Sequence, residues 1–574
     1  MKNYKKVYAA FILAGGLILH GCNGIFDDLA INPNQPSMGA YFTSPSAVND
    51  AVMTMYGYMS TQRCLGASGS KTTIIRSDEA SSNSDYGKPG MFGADLNASY
   101  YTIEQPYTLM YTTASQASYI IETAPSVDFS GNEELRNAYM GEAYFWRAFA
   151  HYYLLINFRN ISPIRQMPRN GDDYVRPLEK PAAVWNFIQE DLAHAKELLP
   201  VKGYWDSKNA GRVTKASAAA LLGKAYLYRS GIEQYYGEDK TTFYSEAAKE
   251  FGDVIDGKYG TYDLTKNYAD NFDVAHENNE ESILEFQFLG DVDNAGFNPG
   301  LATSGLAFDS RGLMLPGAGV GYEGVVHNWL YNAFVNSVDK DGYTDIRMFS
   351  TMIFNDLDAS IHLRNDAGGN PVRLEGPGGY KWEELYPAKN GKEGFATVSN
   401  PLAHSFKAGI RKGIDCSMPT QTEADGTPKL VGVGAGVKEY VYNQPRAHGV
   451  NWRYIRYADV LMMYAEAIVS GGTQASNMTP LQAVNKVRGR VNMSELPSVT
   501  MTDIQNERIL EFALEGHRFY DLLRWGKLAS RFTELQESDP NFKKFISADD
   551  FKGFVTNKHE WLPIPINEVN SNPR

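Results

Sequence analysis

The feature that most constrains this chain is a helical period in its apolar residues. Apolar side chains recur about every 3.6 residues in the N-terminal half and again in the C-terminal third, which predicts amphipathic helices that each bury one face. Between these zones the period is lost. The sequence therefore predicts a mostly α-helical fold, with helices over 139–158, 185–199, 214–229, 243–255, 457–468, 479–490 and 504–525.

The helix predicted over 214–229 indicates how these helices pack. Ala218 and Ala220 come shortly before Tyr226 and Tyr228, so small and bulky side chains occupy neighbouring turns. Bulky side chains of one helix can then fit over small side chains of the next, as in stacked helix pairs. Because no strict repeat period is present, the sequence predicts a scaffold of degenerate tetratricopeptide-type helix pairs.

Two irregular stretches interrupt the helical pattern, at about 60–105 and 259–450. Glycine is frequent in both, and both keep many aromatic residues, which make up 13% of the whole chain. A long irregular segment in a compact protein is usually either functional or disordered, and the aromatic side chains favour order. We therefore expect both stretches to be loop and strand insertions that form a binding face on the helical scaffold.

The first 22 residues have the pattern of a secretion signal. Basic residues precede an apolar stretch over about 7–19, which is shorter than the roughly 20 residues that a membrane-spanning helix needs. The stretch ends in Leu19, His20, Gly21 and Cys22, which resembles a bacterial lipobox except for the histidine. We therefore expect a signal peptide over 1–21 and lipidation of Cys22, which would anchor the mature chain stably to a membrane.

The segment that follows is predicted to be a lipid-anchored linker over 22–43. It contains Pro33 and Pro36 among asparagine and serine residues, which is typical of extended chain. The acidic pair Asp27 and Asp28 resembles the signal that sends lipoproteins of Bacteroidota to the cell surface. The expected location is therefore the outer membrane, with the protein facing the cell exterior.

Net charge and cysteine usage exclude several kinds of protein. The formal net charge is −13, and loss of the basic leader makes it more negative, which argues against a nucleic-acid partner. The three cysteines form no C-x-x-C pair, so no zinc or redox motif is supported. If Cys22 carries lipid, Cys64 and Cys416 remain for a disulfide, but sequence spacing does not decide whether they are close in space.

Acidic residues in the C-terminal helices allow two interpretations. Glu507, Glu511 and Glu515 lie four residues apart, a spacing that suits either paired carboxylates for acid–base chemistry or ion pairs that fix helix packing. Arg456 and Asp459 lie three apart on another helix. Since no nucleophile or metal motif accompanies these residues, we expect an ion-pair network, and we predict that the protein is not an enzyme.

One acidic turn raises the question of a bound ion. Residues 339–345 read DKDGYTD, which faintly resembles the start of an EF-hand calcium loop. Ser350 and Thr351 stand where that loop would need its bidentate glutamate. We expect a solvated acidic turn, with a structural calcium ion as the alternative, and no other cofactor.

Seven segments, taken together, carry a resemblance to a known family. They are EAYFWRAFAHYYLLINF (142–158), TKASAAALLGKAYLYRSG (214–231), NNEESILEFQF (278–288), WRYIRYADVLMMYAEA (452–467), NKVRGRV (485–491), ERILEFALEGHRFYDLLRWGK (507–527) and LPIPINEVNSNP (562–573). In this order and spacing they resemble the SusD/RagB family of outer-membrane lipoproteins. The segment at 452–467 is similar to the family's most diagnostic helix, and the resemblance extends over nearly the whole chain.

The resemblance implies both a fold and a function. It implies a SusD-like helical scaffold that captures an oligosaccharide or polysaccharide without catalysis and delivers it to a partner, a SusC-like TonB-dependent transporter. Two alternatives stay open, a peptide ligand and a surface glycoside hydrolase, which would need two carboxylates in a groove. The expected regions are an N-terminal helical region with binding loops at about 60–105 (44–258), an aromatic-rich insertion (259–450) and a C-terminal RagB/SusD helical region (451–574).

The residues expected to bind the ligand lie in the two irregular stretches. Proteins bind sugars with aromatic platforms flanked by side chains that hydrogen-bond to the hydroxyl groups. Tyr86 is the strongest single candidate, because its neighbours are polar or glycine and none of them suggests a core. The predicted ligand-binding residues are Arg76, Asp78, Asp85, Tyr86, Tyr101, Phe297, Asn298, Tyr322 and Trp329.

Overall fold

Helices form most of the described part of the protein. The computed structural model describes residues 42–61, 63–82, 97–167, 169, 173, 175–288, 308–309, 324–376, 379, 381–397, 403–413, 430–433, 437–440, 447–448, 450–539 and 554–572. Within these residues, no helix is both long enough and apolar enough to cross a membrane. The α-helices are α1 (Pro45–Met59), α2 (Ala67–Ser70), α3 (Tyr101–Thr123), α4 (Glu133–Phe158), α5 (Pro181–Leu198), α6 (Lys215–Tyr236), α7 (Tyr244–Ile255), α8 (Asn328–Val335), α9 (Arg347–Thr351), α10 (Trp382–Leu385), α11 (Tyr457–Val469), α12 (Pro480–Arg490), α13 (Met501–Glu511), α14 (Arg518–Arg524), α15 (Leu528–Ser538) and α16 (Ile566–Ser571).

The strands are short and lie mainly in the predicted insertion. A π-helical turn, Lys71–Ile75, continues α2. Single 3-10 turns occupy Ala124–Ser126, Ser207–Asn209, Tyr268–Phe272, Val274–His276, Gly394–Thr397 and Ala403–Ser405. The strands are β1 (Ala80–Ser82), β2 (Ser282–Phe286), β3 (Phe308–Asp309), β4 (Gly324–Val326), β5 (Met352–Phe354), β6 (Ala408–Ile410), β7 (Leu430–Val433), β8 (Val437–Tyr440), β9 (Ala447–His448) and β10 (Trp452–Arg456).

Local capping fixes where several helices begin. Thr479 accepts a hydrogen bond from the backbone of Gln482, whose side chain in turn accepts one from the backbone of Thr479. Pro480 occupies the first turn of α12, where its missing N–H leaves no intrahelical bond unmade. The predicted start of this helix is therefore confirmed. The helix α13 begins with a corresponding pair of side-chain caps, formed by Thr500 and Asp503.

The long helices pack against one another in chain order. Contacts join α3 to α4, α4 to α5, α5 to α6 and α6 to α7, and α7 then packs against α11. A Cβ on Gly223 in α6 would lie 2.7 Å from the ring of Phe251 in α7, so the absence of a side chain there allows the two helices to approach closely. The predicted mostly α-helical scaffold, in which small residues face bulky ones, is confirmed.

One predicted helix is divided in two. The pattern over 504–525 reads as a single helix, but the structure ends α13 at Glu511 and begins α14 at Arg518. Between them Leu514 has a φ of 61° and Gly516 a φ of 86°, values that interrupt a right-handed helix. A Cβ on Gly516 would lie 2.8 Å from the Thr73 hydroxyl. The break therefore allows the chain to pack closely against the π-helical turn.

Charged residues inside the C-terminal helices form the predicted ion-pair network. Arg456 is fully buried and donates to Glu281 at 2.6 Å and to Glu511 at 2.7 Å. Asp459 accepts from Arg508 at 2.8 Å and from Lys224 at 3.1 Å. The guanidinium of Arg524 pairs with Glu466 in the same way. Each of these carboxylates is paired with a cation from another element, so the network fixes helix packing.

Two small sheets connect the insertion to the scaffold. Strands β2 and β10 pair antiparallel, which joins the beginning of the insertion to the C-terminal helical region. A four-stranded antiparallel sheet has the order β1, β4, β6, β5, and it joins strands that are distant in sequence. Since these pairings cross the boundaries expected at 258 and 450, the three regions are not independent units; the boundaries themselves remain a prediction.

Candidate functional site

The four-stranded sheet brings the two predicted binding stretches to one place. In the antiparallel pair of β1 and β4, Ser82 is the partner of Gly324, and Ala80 is the partner of Val326. Ser82 lies within the first stretch and Gly324 within the second. One strand pair therefore joins the two stretches, although most of the N-terminal helical region and the start of the insertion separate these residues in sequence.

Several predicted residues lie outside the residues that the structure describes. These are the lipidation site and five of the ligand-binding candidates: Cys22, Asp85, Tyr86, Phe297, Asn298 and Tyr322. Cys416, the second half of the disulfide left open above, also lies outside them, and Cys64 is buried. The four remaining candidates, Arg76, Asp78, Tyr101 and Trp329, can be placed.

Asp78 lies in a buried ion pair instead of on a binding surface. Its carboxylate accepts from the Nε atoms of Arg518 at 2.9 Å and of Arg531 at 2.7 Å, and its side chain is fully buried. Burial alone would raise the pKa of Asp78, but the two guanidinium groups hold that pKa below its ordinary value. This placement corrects the expectation that Asp78 faces the ligand, because a saturated, buried carboxylate has no oxygen to offer.

Arg76 is likewise a scaffold residue. Its Nη1 atom donates to Asn157 at 3.1 Å and its Nη2 atom to the carbonyl of Glu560 at 2.9 Å. The guanidinium carbon lies 3.9 Å from the ring centroid of Phe519. Burial lowers the pKa of Arg76 to about 10. With 1% of its surface exposed, Arg76 joins the π-helical turn to the C-terminal segment, and the expectation of a ligand donor is corrected.

Trp329 is half-buried and supports the same cluster. Its indole Nε1 atom donates to the carbonyl of Asp78, and the guanidinium carbon of Arg531 lies 4.2 Å from its ring centroid. A cation over the ring already uses the face on which a sugar would stack. Tyr101, in contrast, is 36% exposed at the first turn of α3, so its predicted ligand contact stays a prediction.

These corrections have a common geometric reason. Asp78 precedes Ala80, and Trp329 follows Val326, so both belong to the buried end of the β1–β4 pair. The two predicted loops are attached at the opposite end, at Ser82 and Gly324. Sequence proximity to a loop therefore did not imply exposure, since only a strand's length separates the loop attachment from the core.

Sequence reasoning missed an acidic group in this buried end, Glu79. Leu514 donates its backbone N–H to Glu79 Oε1 at 2.9 Å. The Ser77 hydroxyl donates to the Ile74 carbonyl at 2.7 Å and lies within donating distance of Glu79 Oε2, at 3.1 Å. Both hydrogen bonds to the carboxyl group favour its ionised form. Burial outweighs them and raises the pKa of Glu79 to about 8.

The acidic turn predicted from residues 339–345 contains carboxylates that are paired with arginines. Asp339 accepts from the backbone of Asp341 and Tyr343 at 2.9 Å each, and it also pairs with Arg364. Asp345 pairs with Arg347 at 2.7 Å. These guanidinium groups supply the positive charge that a calcium ion would bring, which disfavours the calcium alternative. Elsewhere in the described part, Asp270, Asp273 and His276 are close enough to share an ion.

A cluster of aromatic residues in the insertion was not selected from the sequence. Trp382, Tyr386 and Phe395 pack on one another and line a pocket together with Tyr331 and Phe406. The only local signal was the spacing of Trp382 and Tyr386, which lie four residues apart, at the first position of α10 and just after its end. The other members come from distant segments, so the chain pattern alone did not reveal the pocket.

Comparison with protein-family models gave two matches. A model described as "SusD family" matches residues 422–574, and a model described as "Starch-binding associating with outer membrane" matches residues 31–227. One match covers most of the N-terminal region, the other covers the end of the insertion and the C-terminal region, and most of the insertion lies between them.

Individual relatives match over most of the chain. A SusD-like protein of Bacteroides ovatus is 25% identical over 533 residues, which cover 92% of this chain and 83% of that protein. SusD-like protein P2 of Formosa agariphila is 24% identical over 548 residues, covering 91% of each. Similarity at this level extends across both helical regions and the insertion between them.

Solved structures share the fold. A SusD superfamily protein from Bacteroides vulgatus superimposes with a TM-score of 0.66 at 22% identity, covering 93% of this chain and 98% of that one. A structure named a laminarin-binding SusD-like protein gives a TM-score of 0.60 at 22% identity, covering 92% and 98%. Surface glycan-binding protein A from Bacteroides fluxus gives 0.63 at 19% identity, covering 92% and 97%.

Proposed function

The chain belongs to the SusD/RagB family, and on this premise we propose that it binds an oligosaccharide or polysaccharide at the cell surface without catalysis. The binding face is formed by the two predicted loop stretches on the helical scaffold. The captured glycan then passes to a partner TonB-dependent transporter in the outer membrane.

The observation that carries this proposal is the pairing of Ser82 with Gly324. This pair joins two stretches that are far apart in sequence and rich in aromatic and hydrogen-bonding residues. A composite binding surface needs this convergence, because aromatic platforms and hydrogen-bonding groups must meet one ligand together. The buried cluster of Asp78, Arg518 and Arg531 beneath β1 gives the attachment points a rigid base.

The names of relatives support a carbohydrate as the ligand. One structural neighbour is named for laminarin binding and another as a surface glycan-binding protein. The model that matches residues 31–227 is described as starch-binding and as associating with the outer membrane. The acidic net charge of −13 favours a neutral glycan over a sulfated or uronic one.

Binding of glycans can be tested on the lipidated protein in detergent. We expect a glycan array to give hits among neutral polysaccharides and calorimetry to confirm them. Tyr86→Ala should weaken the confirmed interaction about tenfold or more, since an aromatic stacking platform contributes roughly 1–3 kcal/mol, and should leave the melting temperature unchanged. Tyr235→Ala is the matched control, because Tyr235 is 52% exposed on the helical scaffold and should bind as wild type. Equal affinities of all three proteins would remove this loop from the site.

Anchoring and transport need separate tests. Cys22→Ala should abolish incorporation of labelled palmitate and release the protein from membranes, as the Leu19–Cys22 sequence predicts. Affinity purification of the wild-type chain from detergent-solubilised outer membranes should recover a TonB-dependent transporter. Recovery of the chain alone under mild detergent and crosslinking would contradict the transport step without touching glycan binding.

A further inference from the structure

A second pocket lies at the other end of the four-stranded sheet. It is enclosed by α8, by the turn after β5, by α10 and by the segment that enters β6, and its volume is about 440 Å³. Small-ligand sites typically measure roughly 300–1,000 Å³. By register, Phe354 pairs with Ala408 at this end, whereas the predicted loops are attached beyond Ser82 and Gly324. The pocket therefore lies within the second irregular stretch, at the end of the sheet opposite the Ser82–Gly324 pair.

The floor of the pocket is aromatic and rigid. The ring centroids of Trp382, Tyr386 and Phe395 lie 4.6–4.9 Å apart in pairs, at tilted or edge-to-face angles. A Cβ on Gly394, whose φ is 55°, would lie 2.9 Å from the Trp382 ring. The glycine thus allows its own backbone to lie against the indole and hold it in place. The three rings fix one another and are 7%, 3% and 4% exposed, so they border the pocket with a small, preorganised apolar surface that the C–H groups of a sugar can contact.

The rim of the pocket is polar and offers both donors and acceptors. Asn355, Glu393 and Lys407 are exposed around it. Asp358 accepts from the backbone and the hydroxyl of Ser360 at 2.9 Å and 2.7 Å. These two hydrogen bonds lower the pKa of Asp358, so its carboxylate is an acceptor at neutral pH. Acceptors and donors above an aromatic floor match the hydroxyl groups and apolar face of a pyranose ring.

The charges around the rim select against acidic sugars. Glu383 is already matched by Arg373, at 2.8 Å. The lining then contains two further carboxylates, Asp358 and Glu393, and one ammonium group, that of Lys407, so the rim carries a small negative excess. A uronate or sulfate group would meet repulsion there, whereas the hydroxyl groups of a neutral hexose would not.

We propose that this pocket is a second saccharide site, which takes a neutral hexopyranose unit of an oligosaccharide. The inference rests on the proposed function, because it assigns an additional contact to the same class of ligand. Two sites on one rigid protein can hold one polysaccharide chain at two points, which strengthens retention of polymers far more than of short fragments.

Tryptophan signals can test the pocket directly. The protein has eight tryptophans, so incorporation of 5-fluorotryptophan gives eight fluorine resonances, and Trp382→Phe identifies the one from the pocket. The probes are maltohexaose, laminarihexaose, cellohexaose and mannohexaose, each also titrated by calorimetry. We expect at least one of them to move the Trp382 resonance in a saturable way in the wild-type protein.

Variants that fill the pocket test whether the Trp382 response comes from a ligand bound inside it. Ala388 is exposed at the pocket wall, so Ala388→Arg fills the space without removing any packing; Ala396→Arg is the second choice if the first lowers the melting temperature. Either variant should weaken the response of Trp382 at least tenfold. Ala367→Arg is the matched control, since Ala367 is exposed in the same insertion but outside the pocket, and it should respond as wild type.

The outcomes separate this inference from the proposed function. Two results overturn the second site and leave glycan binding intact. One is binding heat without a shift of the Trp382 fluorine resonance; the other is an equal shift in the filled variants and the wild type. No movement of Trp382 with any of the four hexasaccharides likewise overturns the second site, and the glycan array tests the proposed function separately. A saturable Trp382 shift that the filled variants lose establishes the second site.

Discussion

The ion-pair network of the C-terminal helices and the rim of the aromatic pocket contain the same kinds of side chain. In the network, Arg456 and Glu511 are fully buried and contact each other at 2.7 Å. At the pocket, Glu393 and Lys407 are exposed around a ring cluster. The difference teaches that burial, and not residue type, decides whether a charge holds the fold together or is available to a ligand.

Energetics explains why the two regions tolerate change differently. Removing one partner of a buried pair leaves the other charge without compensation in a low-dielectric interior, which is strongly destabilising. An exposed charge keeps its hydration, and its removal changes stability by at most about 0.5 kcal/mol. Each of the following three substitutions therefore tests the contrast, from the largest expected effect on stability to the smallest.

Asp459→Ala should give the largest loss of stability. Asp459 is fully buried between Lys224 and Arg508, and both cations would lose a charged partner. Such a change typically costs roughly 3–5 kcal/mol, which chemical denaturation would report as a lower midpoint at constant slope. Glycan affinity of the remaining folded protein should equal that of wild type. Normal stability combined with lost binding would place Asp459 in the binding site instead of the scaffold.

Glu79→Gln should change the pH dependence of stability. The pKa of Glu79 is about 8 in the folded protein, against an ordinary value of about 4.3. Between these values the folded chain keeps a proton that the unfolded chain has lost, so the wild type loses stability as pH rises through this window. Glutamine imitates the protonated acid and should remove this decline. The variant should therefore be the more stable protein at pH 8, by several kcal/mol.

The measurement for Glu79 is urea unfolding at several pH values between about 4 and 9. The change in free energy of unfolding with pH should be small for both proteins at the acidic end, and the two free energies should diverge steadily towards the basic end. Parallel curves over the whole window would mean that Glu79 is ionised in the folded protein. The wild-type dependence should persist in a glutamine substitution at an exposed glutamate, such as Glu393.

Glu393→Gln should have the smallest effect on stability. The side chain is exposed at the pocket rim. Loss of its charge should therefore shift the free energy of unfolding by less than about 0.5 kcal/mol. If the pocket binds a sugar, this variant should nevertheless weaken the Trp382 response to a hexasaccharide. A melting temperature lowered as far as that of Asp459→Ala would show that the rim belongs to the scaffold.

Much of the scaffold was predictable because helical signals are local. Apolar periodicity and the cap at Thr479 lie within a few residues of the helices they define, and α4, α5, α6, α7, α11 and α12 appear where the pattern placed them. The break between α13 and α14 was missed, since the apolar pattern continues through Gly516. The reason for the break is a distant contact with Thr73, which no local window contains.

The candidate site was predictable only in outline. The sequence by itself determined the helical zones and the family resemblance, because each depends on neighbouring residues. The lipid anchor at Cys22 stays a prediction from the sequence. The tertiary structure decided that Arg76 and Asp78 are buried, that Ser82 and Gly324 are neighbours, and that Trp382 and Phe406 line one pocket. Burial and strand register depend on which distant segments meet, and that is a property of the folded chain as a whole.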